Sequence, residues 1–353
     1  MDVAIVATAR FAITEPAAGG LEVHTRVLAT ELLARGHDVT VYAAGGDGPF
    51  DVEVMLPVDF TGSETARRDV AAPAVALLSE HHSYLDAMLR IADADHDVVH
   101  VNAVHYLPFV SSSLVRAPMV GTLHSPPTPW LESAIQLAKR SRRPPWLISV
   151  SAANAKAWGH GVVDEVIHNG VDLTSWMAGP GGDGVVWTGR LAPEKAPHLA
   201  IDAARAAGRS ITLLGPVFDA EYFDREVVPR LGHDVTYLGH ADTTGLAEAV
   251  GRAAVAVVTP EWEEPFGLVV AEALACGTPV AAFDRGALAE LLDDRVARLA
   301  APADVPALAR AIDVASRLDR DTCRRVAEER FAATTMAKRY ERCFSGVVAG
   351  AAA

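Results

Sequence analysis

The chain has 353 residues, about 2.4 lengths of a 150-residue domain, so two domains of similar size are expected rather than one small module. Hydrophobic residues make up 50% and charged residues 22%, which excludes a disordered or low-complexity chain. Forty-five acids against 31 bases give a formal charge of −14, which argues against a general nucleic-acid binder, since such proteins need a basic face to displace counterions from phosphates. A small basic pocket for one phosphorylated ligand stays compatible with that balance.

Cys276, Cys323 and Cys343 stand far apart, form no C-x-x-C pair and fit a reduced compartment. The acidic start Met1-Asp2-Val3 enters a strand-like run at once, without a basic segment followed by a long apolar one. No stretch approaches the roughly 20 apolar residues of a membrane helix. The expectation is a soluble, cytoplasmic protein without a transmembrane segment.

Short apolar runs alternate with amphipathic segments. Val3–Thr8 reads as a buried strand, and Leu21–Arg35 as a helix stopped by Gly36. Strands follow at Val39–Ala43 and Val52–Leu56, then a helical stretch from Ser63 to about Ala92. Further strands are expected at Val98–Val101, Met119–Leu123 and Trp146–Val150, with a helix over Trp130–Arg140. The rhythm breaks at Met177–Gly184, where four glycines and a proline make the most linker-like stretch. A second series places strands at Val185–Thr188, Ile211–Leu214, Val235–Leu238, Val255–Val258 and Val280–Phe283. Helices over Val305–Leu318, Asp321–Glu329 and Thr334–Val348 end the chain.

This alternation predicts an α/β protein of two doubly wound, Rossmann-like domains with parallel sheets and right-handed crossovers. In such sheets ligands bind beyond the carboxyl ends of the strands, so two facing sheets would form a cleft lined by strand-end loops.

The most informative segment runs from Thr259 to Val280 and reads strand, acidic loop, helix, strand. The helix opens near Gly267, where unpaired N–H groups and the positive dipole end suit a phosphate. Glu272 lies just over one turn inside, its carboxylate leaning back toward the helix start, and Glu264 precedes the helix. A carboxylate accepting from two neighbouring hydroxyls is a common way to hold a ribose. In Val186-Trp187-Thr188-Gly189-Arg190-Leu191-Ala192-Pro193-Glu194-Lys195, an Arg and a Lys five apart on a strand-to-helix loop can both reach one diphosphate.

Glu264 and Glu272, with Pro-Phe-Gly inside the pair and Gly-Thr-Pro-Val after it, resemble the E-x7-E donor signature of retaining GT-B glycosyltransferases of family 4. The resemblance implies a ribose role for Glu272 and a sugar role for Glu264. Phe266, Gly267, Leu268 and Val269 would supply main-chain contacts. Gly189-Arg190 and Lys195 resemble the family's G-R-x4-K element, whose cations neutralise the leaving diphosphate. His124, in Thr122-Leu123-His124, matches a histidine beside the donor sugar. Gly19-Gly20, after an 11-residue loop from Ala9, resemble a glycine pair near the donor phosphate and acceptor, with Gly20 carried over as donor-binding. Asn169-Gly170-Val171-Asp172 also looks like a family element, whereas Asp284-Arg285-Gly286-Ala287-Leu288-Ala289-Glu290 departs from the paired-glycine form. The base would dock near Gly239-His240.

The implied layout is a GT-B architecture. Residues 1–175 form an acceptor-binding domain, residues 184–335 a donor-binding domain, and residues 336–353 a C-terminal helix packing back on the first. The implied activity is retaining, metal-independent transfer of a sugar, glucose or N-acetylglucosamine by family frequency, from a UDP-linked donor to a hydroxyl of a small-molecule or lipid acceptor. No cofactor beyond the nucleotide-sugar substrate is implied. His124, Arg190, Lys195 and Glu264 are the candidate catalytic set. A non-catalytic sugar-nucleotide-binding protein is the alternative. A glycoside hydrolase with Glu264 and Glu272 as its carboxylate pair leaves Arg190 and Lys195 without a purpose. His100 and His105 bracket a strand end, but no carboxylate or cysteine sits at metal-ligand spacing. Asp93-Ala94-Asp95 reads as a polar turn closing a helix. The cluster Lys139, Arg140, Arg142 and Arg143 could meet an anionic lipid, or simply be the solvated cationic end of a helix.

Overall fold

The computed structural model describes residues 1–56, Ser63 and 74–352. The first sheet holds seven parallel strands: β1 (Asp2–Val6), β2 (Asp38–Ala43), β3 (Asp51–Val54), β4 (Val98–Val101), β5 (Met119–Leu123), β6 (Trp146–Ser149) and β7 (Glu165–Val166). Their spatial order is β3-β2-β1-β4-β5-β6-β7. The second sheet holds β8 (Val185–Thr188), β9 (Ile211–Leu214), β10 (Val235–Tyr237), β11 (Val255–Val258), β12 (Val280–Phe283) and β13 (Ala297–Ala300), in the order β10-β9-β8-β11-β12-β13.

Around the first sheet lie α1 (Gly20–Ala34), α2 (Val75–Asp93), α3 (Leu107–Val110), α4 (Pro129–Ala138) and α5 (Ala152–Trp158). Around the second lie α6 (Pro197–Ala206), α7 (Thr243–Gly251), α8 (Leu268–Ala275), α9 (Leu288–Leu291), α10 (Val305–Ala315) and α11 (Arg320–Arg330). The last helix, α12 (Ala333–Ala352), shares a core with β1 and α1: Met336, Ala337, Tyr340 and Phe344 pack with Val3, Ile5, Leu28 and Leu32.

Local chemistry accounts for these elements. The central strands β4, β5, β11 and β12 are buried at every residue, as parallel strands covered on both faces must be; β11 and β12 read as unbroken apolar runs, while β4 and β5 each bury one polar side chain, His100 and Thr122. Five helix starts are capped by short oxygen-bearing side chains: Thr128, Ser151, Asp242, Asp304 and Asp319 each accept from a backbone N–H three residues on.

Differences from the expected elements fall where the pattern is short or half-buried. β7 has two residues, and β13 carries Arg298 on an edge, so neither shows as an apolar run. The short helices α3 and α5 also escape periodicity. The helix expected from Ser63 is described from Val75, and residues 64–73 of that expectation lie outside the described residues. The glycines at 178–184 serve contact. Gly179 N–H donates to Cys276 O at 3.0 Å and Gly181 N–H to Gly251 O at 2.9 Å. A Cβ on Gly179 would overlap the Gly251 backbone.

In both sheets the strand order reverses once, between β1 and β4 and between β8 and β11. Ligand crevices open at such switch points. The loops after β1, β8 and β11 carry Gly19-Gly20, Arg190 to Lys195, and Glu264 respectively.

Candidate active site between the two sheets

The loop after β8 carries Arg190 and Lys195 into the crevice. Gly189 has φ +151°, where a side chain would be strained, and a Cβ on Gly215 would overlap the Gly189 carbonyl oxygen. The Arg190 guanidinium lies 4.5 Å from the centre of the Phe218 ring and 3.6 Å from Glu194. Lys195 Nζ donates to Glu264 Oε2 at 2.6 Å and sits 5.0 Å from the centre of the Trp262 ring. The Trp262 indole N–H donates to the same carboxylate oxygen at 3.0 Å. Glu264 is thus buried yet satisfied, and it fixes Lys195 in place.

Glu264 is held in turn by the segment after β12. Its carbonyl accepts from Ala287 N–H at 2.8 Å. Gly286, at φ +59°, presses so closely that a Cβ there would overlap the Glu264 peptide. The departure from a paired glycine at Asp284–Glu290 therefore keeps the glycine that this contact requires.

Gly267 precedes α8 at φ +83° with no side-chain cap; Val270 N–H donates to Gly267 O at 2.9 Å, which leaves the Leu268 and Val269 N–H groups open to a ligand. The Phe266 side chain is buried, 6.0 Å from the Phe331 ring, so only its backbone is available to the crevice. Leu268 and Val269 are partly buried where α8 begins. The carboxylate of Glu272, 8% exposed, takes no hydrogen bond or ion pair among the described residues. Burial, and secondarily the negative charge of Glu15, push its carboxyl up to about 8.

The first sheet supplies the facing wall. A Cβ on Gly19 would lie 4.0 Å from Arg190 Cδ and 3.3 Å from Glu22 Oε2, and one on Gly20 would lie 3.9 Å from Leu268 Cδ2. Burial raises the Glu22 carboxyl above its usual range, against the pull of Arg190. The loop before α1 also grips the second sheet. Glu15 accepts from Thr243 N–H and Oγ1–H at 3.2 and 2.9 Å, and His240 Nε2 bonds Ala17 O at 3.0 Å.

His124 follows β5 and is partly buried. Its Nε2 bonds Asn102 Oδ1 at 2.5 Å, and its ring lies 4.7 Å from that of His24 on α1. His124 is tied to the crevice through α1. Burial holds its pKa well below the ordinary imidazole value.

Arg190, Lys195, Glu264, Gly267, Leu268 and Gly20 therefore converge on one crevice. The sequence reading passed over Trp262, Phe218, Glu15 and Asn102. Trp262 stood inside the acidic loop and could have been weighed as a ring facing a cation; Phe218 carries no local signal. Glu290, named in the sequence only as the end of the segment that departs from the paired-glycine form, ties the halves together. It accepts from Ala152 and Ala153 N–H at 3.0 and 2.9 Å and pairs with His168 at 2.7 Å. Gly170 lies against the α12 backbone, where a Cβ would be 2.7 Å from Ala333 Cα. Of the basic cluster, Lys139 pairs with Asp164 at 2.6 Å and Arg143 donates to Arg116 O at 3.1 Å. Among the described residues no group of three or more potential metal ligands occurs, and no helix is long and apolar enough to cross a membrane.

Comparison with known proteins agrees with this architecture. The family model described as Glycosyltransferase Family 4 matches residues 18–175, and that described as Glycosyl transferases group 1 matches residues 182–316. The chain is 29% identical over 343 residues to a glycogen synthase of Mycobacterium tuberculosis, covering 83% of this chain and 81% of that one. It is 29% identical over 336 residues to a phosphatidyl-myo-inositol mannosyltransferase of Mycobacterium leprae, with 85% and 84% covered. Among solved structures, a sucrose-phosphate synthase from Thermosynechococcus elongatus superposes with TM-score 0.78 at 22% identity, over 99% of this chain and 100% of that one. Anabaena Alr3699/HepE in complex with UDP-glucose gives TM-score 0.77 at 20% identity, over 98% and 100%. With the signature residues gathered in one interdomain crevice and the two family models spanning both halves, this chain belongs to the family 4, group 1 glycosyltransferases of GT-B fold.

Proposed function

We propose that the protein is a retaining, metal-independent hexosyltransferase that moves glucose or N-acetylglucosamine from a UDP-linked donor to a hydroxyl of a small-molecule or lipid acceptor. The observation that carries this reading is the convergence of Arg190, Lys195 and the uncapped start of α8 on the crevice faced by Gly19 and Gly20. Such a reaction must stabilise negative charge on the departing diphosphate. Two fixed cations and a helix tip do so by preplaced electrostatics, leaving no charge-neutralising task for a metal ion.

The roles follow from position. Glu272 accepts the two ribose hydroxyls, and binding draws its carboxyl from the protonated toward the ionised form. Glu264 positions Lys195 and meets the transferred sugar. Backbone N–H groups from Phe266 to Val269 hold sugar hydroxyls and the distal phosphate, and His124 lies on the sugar's other side. The acceptor attacks from the leaving-group face, where the diphosphate oxygen is available to take its proton, so no protein nucleophile is required. Gly20 leaves room for phosphate and acceptor at the start of α1. Support for a UDP-linked glucosyl donor comes from the resemblance, together with a structural neighbour of the same fold that is described with UDP-glucose.

A thermal-shift panel of UDP-, GDP- and ADP-sugars tests the donor, because a ligand that binds only the native state raises its melting temperature. A shift confined to UDP-sugars is expected, and a larger shift with GDP- or ADP-sugars would reassign the base. Turnover undiminished by EDTA, with the product keeping the donor's anomeric configuration, is expected. Inversion, or loss of turnover restored by a divalent cation, would refute the mechanism.

A further inference from the structure

Behind His124 lies a buried network that, apart from Thr122, lies outside the signature motifs. Asn102 follows β4 at the switch point of the first sheet and is fully buried. Its Nδ2 donates to Thr25 Oγ1 at 2.7 Å and approaches His24 Nδ1 at 3.2 Å, both on α1. Its Oδ1 faces His124 Nε2 at 2.5 Å.

The orientation of this amide follows from its partners. Thr25 Oγ1–H donates to Leu21 O at 2.8 Å inside α1, so the hydroxyl's remaining capacity toward Asn102 is as an acceptor. That places the Asn102 NH2 on the α1 side and its carbonyl oxygen on the His124 side. A carbonyl oxygen can only accept, so His124 Nε2 must carry the proton. In a neutral ring Nδ1 then bears a lone pair, and it takes no hydrogen bond among the described residues. The ionisable groups around the ring are His24 from α1 and His100 from β4, both buried and held neutral, with pKa values lowered to about 3. Behind them His100 Nε2 bonds Thr122 Oγ1 at 2.9 Å, and Thr122 Oγ1 meets the Tyr340 hydroxyl of α12 at 3.0 Å. Among the described residues no carboxylate hydrogen-bonds into the network to favour an imidazolium.

We infer that Asn102 is a positioning residue that fixes His124 as the neutral Nε2–H tautomer, leaving Nδ1 to accept a hydrogen bond from a hydroxyl of the donor sugar. The inference rests on the proposed placement of the donor sugar beside His124. It makes His124 a hydrogen-bond acceptor rather than a cationic group or an acid, and it couples the ring to α1, whose first residue faces Leu268 across the crevice.

Imidazole nitrogen NMR on the ligand-free full chain reads the tautomer directly, with His124→Gln supplying the assignment. His124 is expected with a protonated Nε2 and a bare Nδ1, unchanged down to pH 5. In Asn102→Ala the preference should vanish, and kcat should fall at least tenfold while the donor KM stays within about threefold. Asn102→Asp keeps the shape but adds a charge that favours imidazolium. His124 should then titrate between pH 5 and 7, and kcat should acquire an acidic limb absent from the parent. If Asn102→Ala does not fold, the parent spectrum and the Asn102→Asp profile decide the matter. A protonated Nδ1 in the parent protein, or a tautomer and pH profile indifferent to position 102, would overturn the inference. Lack of turnover with every nucleotide sugar would instead strike at the proposed function, since the ligand-free spectrum does not depend on it.

Discussion

The two walls of the crevice are built on opposite electrostatic plans. The wall from the second sheet presents Arg190, Lys195 and a helix tip, with Glu264 holding one cation and Glu272 buried behind. The wall from the first sheet presents two glycines at the start of α1 and the partly buried His124, backed by His24 and His100, all imidazoles held neutral by burial. One plan suits a diphosphate, whose charge needs fixed cations. The other suits hydroxyl-bearing ligands, where a local charge would attract water and competing anions. The difference teaches that charge is concentrated where the reaction develops it and removed by desolvation elsewhere.

The sharpest way to break this comparison is to remove the fixed cation. Lys195→Ala should lower kcat by about 100- to 1,000-fold, the range for losing one preplaced charge-stabilising donor. The circular dichroism spectrum should remain that of the parent, while the melting temperature falls, because the buried Glu264 carboxylate loses its ion-pair partner. Unchanged turnover would mean that the charged wall does not act on the leaving group.

Glu272→Ala should weaken donor binding by roughly 10- to 100-fold, the worth of about 1.5–3 kcal/mol for hydrogen bonds to a charged group, as read by isothermal titration. The pH dependence sharpens the point. Folding raises this carboxyl from 4.5 to about 8, so the stability it contributes is complete below about 4.5 and is lost as pH rises through about 8. Glu272→Gln keeps the neutral shape, so it should melt with the parent at pH 5 and above it at pH 9. Equal melting temperatures at pH 9 would dismiss the buried-carboxyl account.

Gly286→Ala tests the support behind the wall. A Cβ at φ +59° and against the Glu264 peptide should cost about 2 kcal/mol in urea denaturation, with lower turnover because Glu264 shifts. A neutral result would show that this loop yields freely. The smallest effect is expected at Glu290→Ala, which costs about 1 kcal/mol by leaving the Ala152 and Ala153 N–H groups at the start of α5 without their acceptor, Ser151 still capping Asn154 N–H, and by releasing the ion pair with His168. Parent-like stability and domain closure, by denaturation and small-angle scattering, would reduce Glu290 to a surface group.

Much of the charged wall was legible because it is local. Gly189-Arg190 to Lys195 and Glu264 to Glu272 each lie on one strand–loop–helix unit, so spacing along the chain translates into spacing in the crevice. Glu264 was read as a sugar ligand, but its pairing with Lys195, 69 residues away, had no local sign. The neutral wall was barely legible. His24, Asn102, His124 and Tyr340 come from α1, the β4 end, the β5 end and the last helix, and any one of them alone reads as an ordinary core or turn residue. Gly286 and Gly179 were read as departures or linkers because a glycine required by close approach looks the same in sequence as one required by a turn.

Apolar runs alternating with amphipathic stretches determined by themselves the two parallel sheets, because strands buried on both faces are largely apolar and their crossovers must be covered by helices. Placing chemistry just after strands followed from the same rule. Only the tertiary structure decided which loops face each other, how Glu264 and Trp262 hold Lys195, and which imidazoles stay neutral. Those outcomes depend on desolvation and on contacts between residues distant along the chain, and neither quantity is carried by any local pattern of side chains.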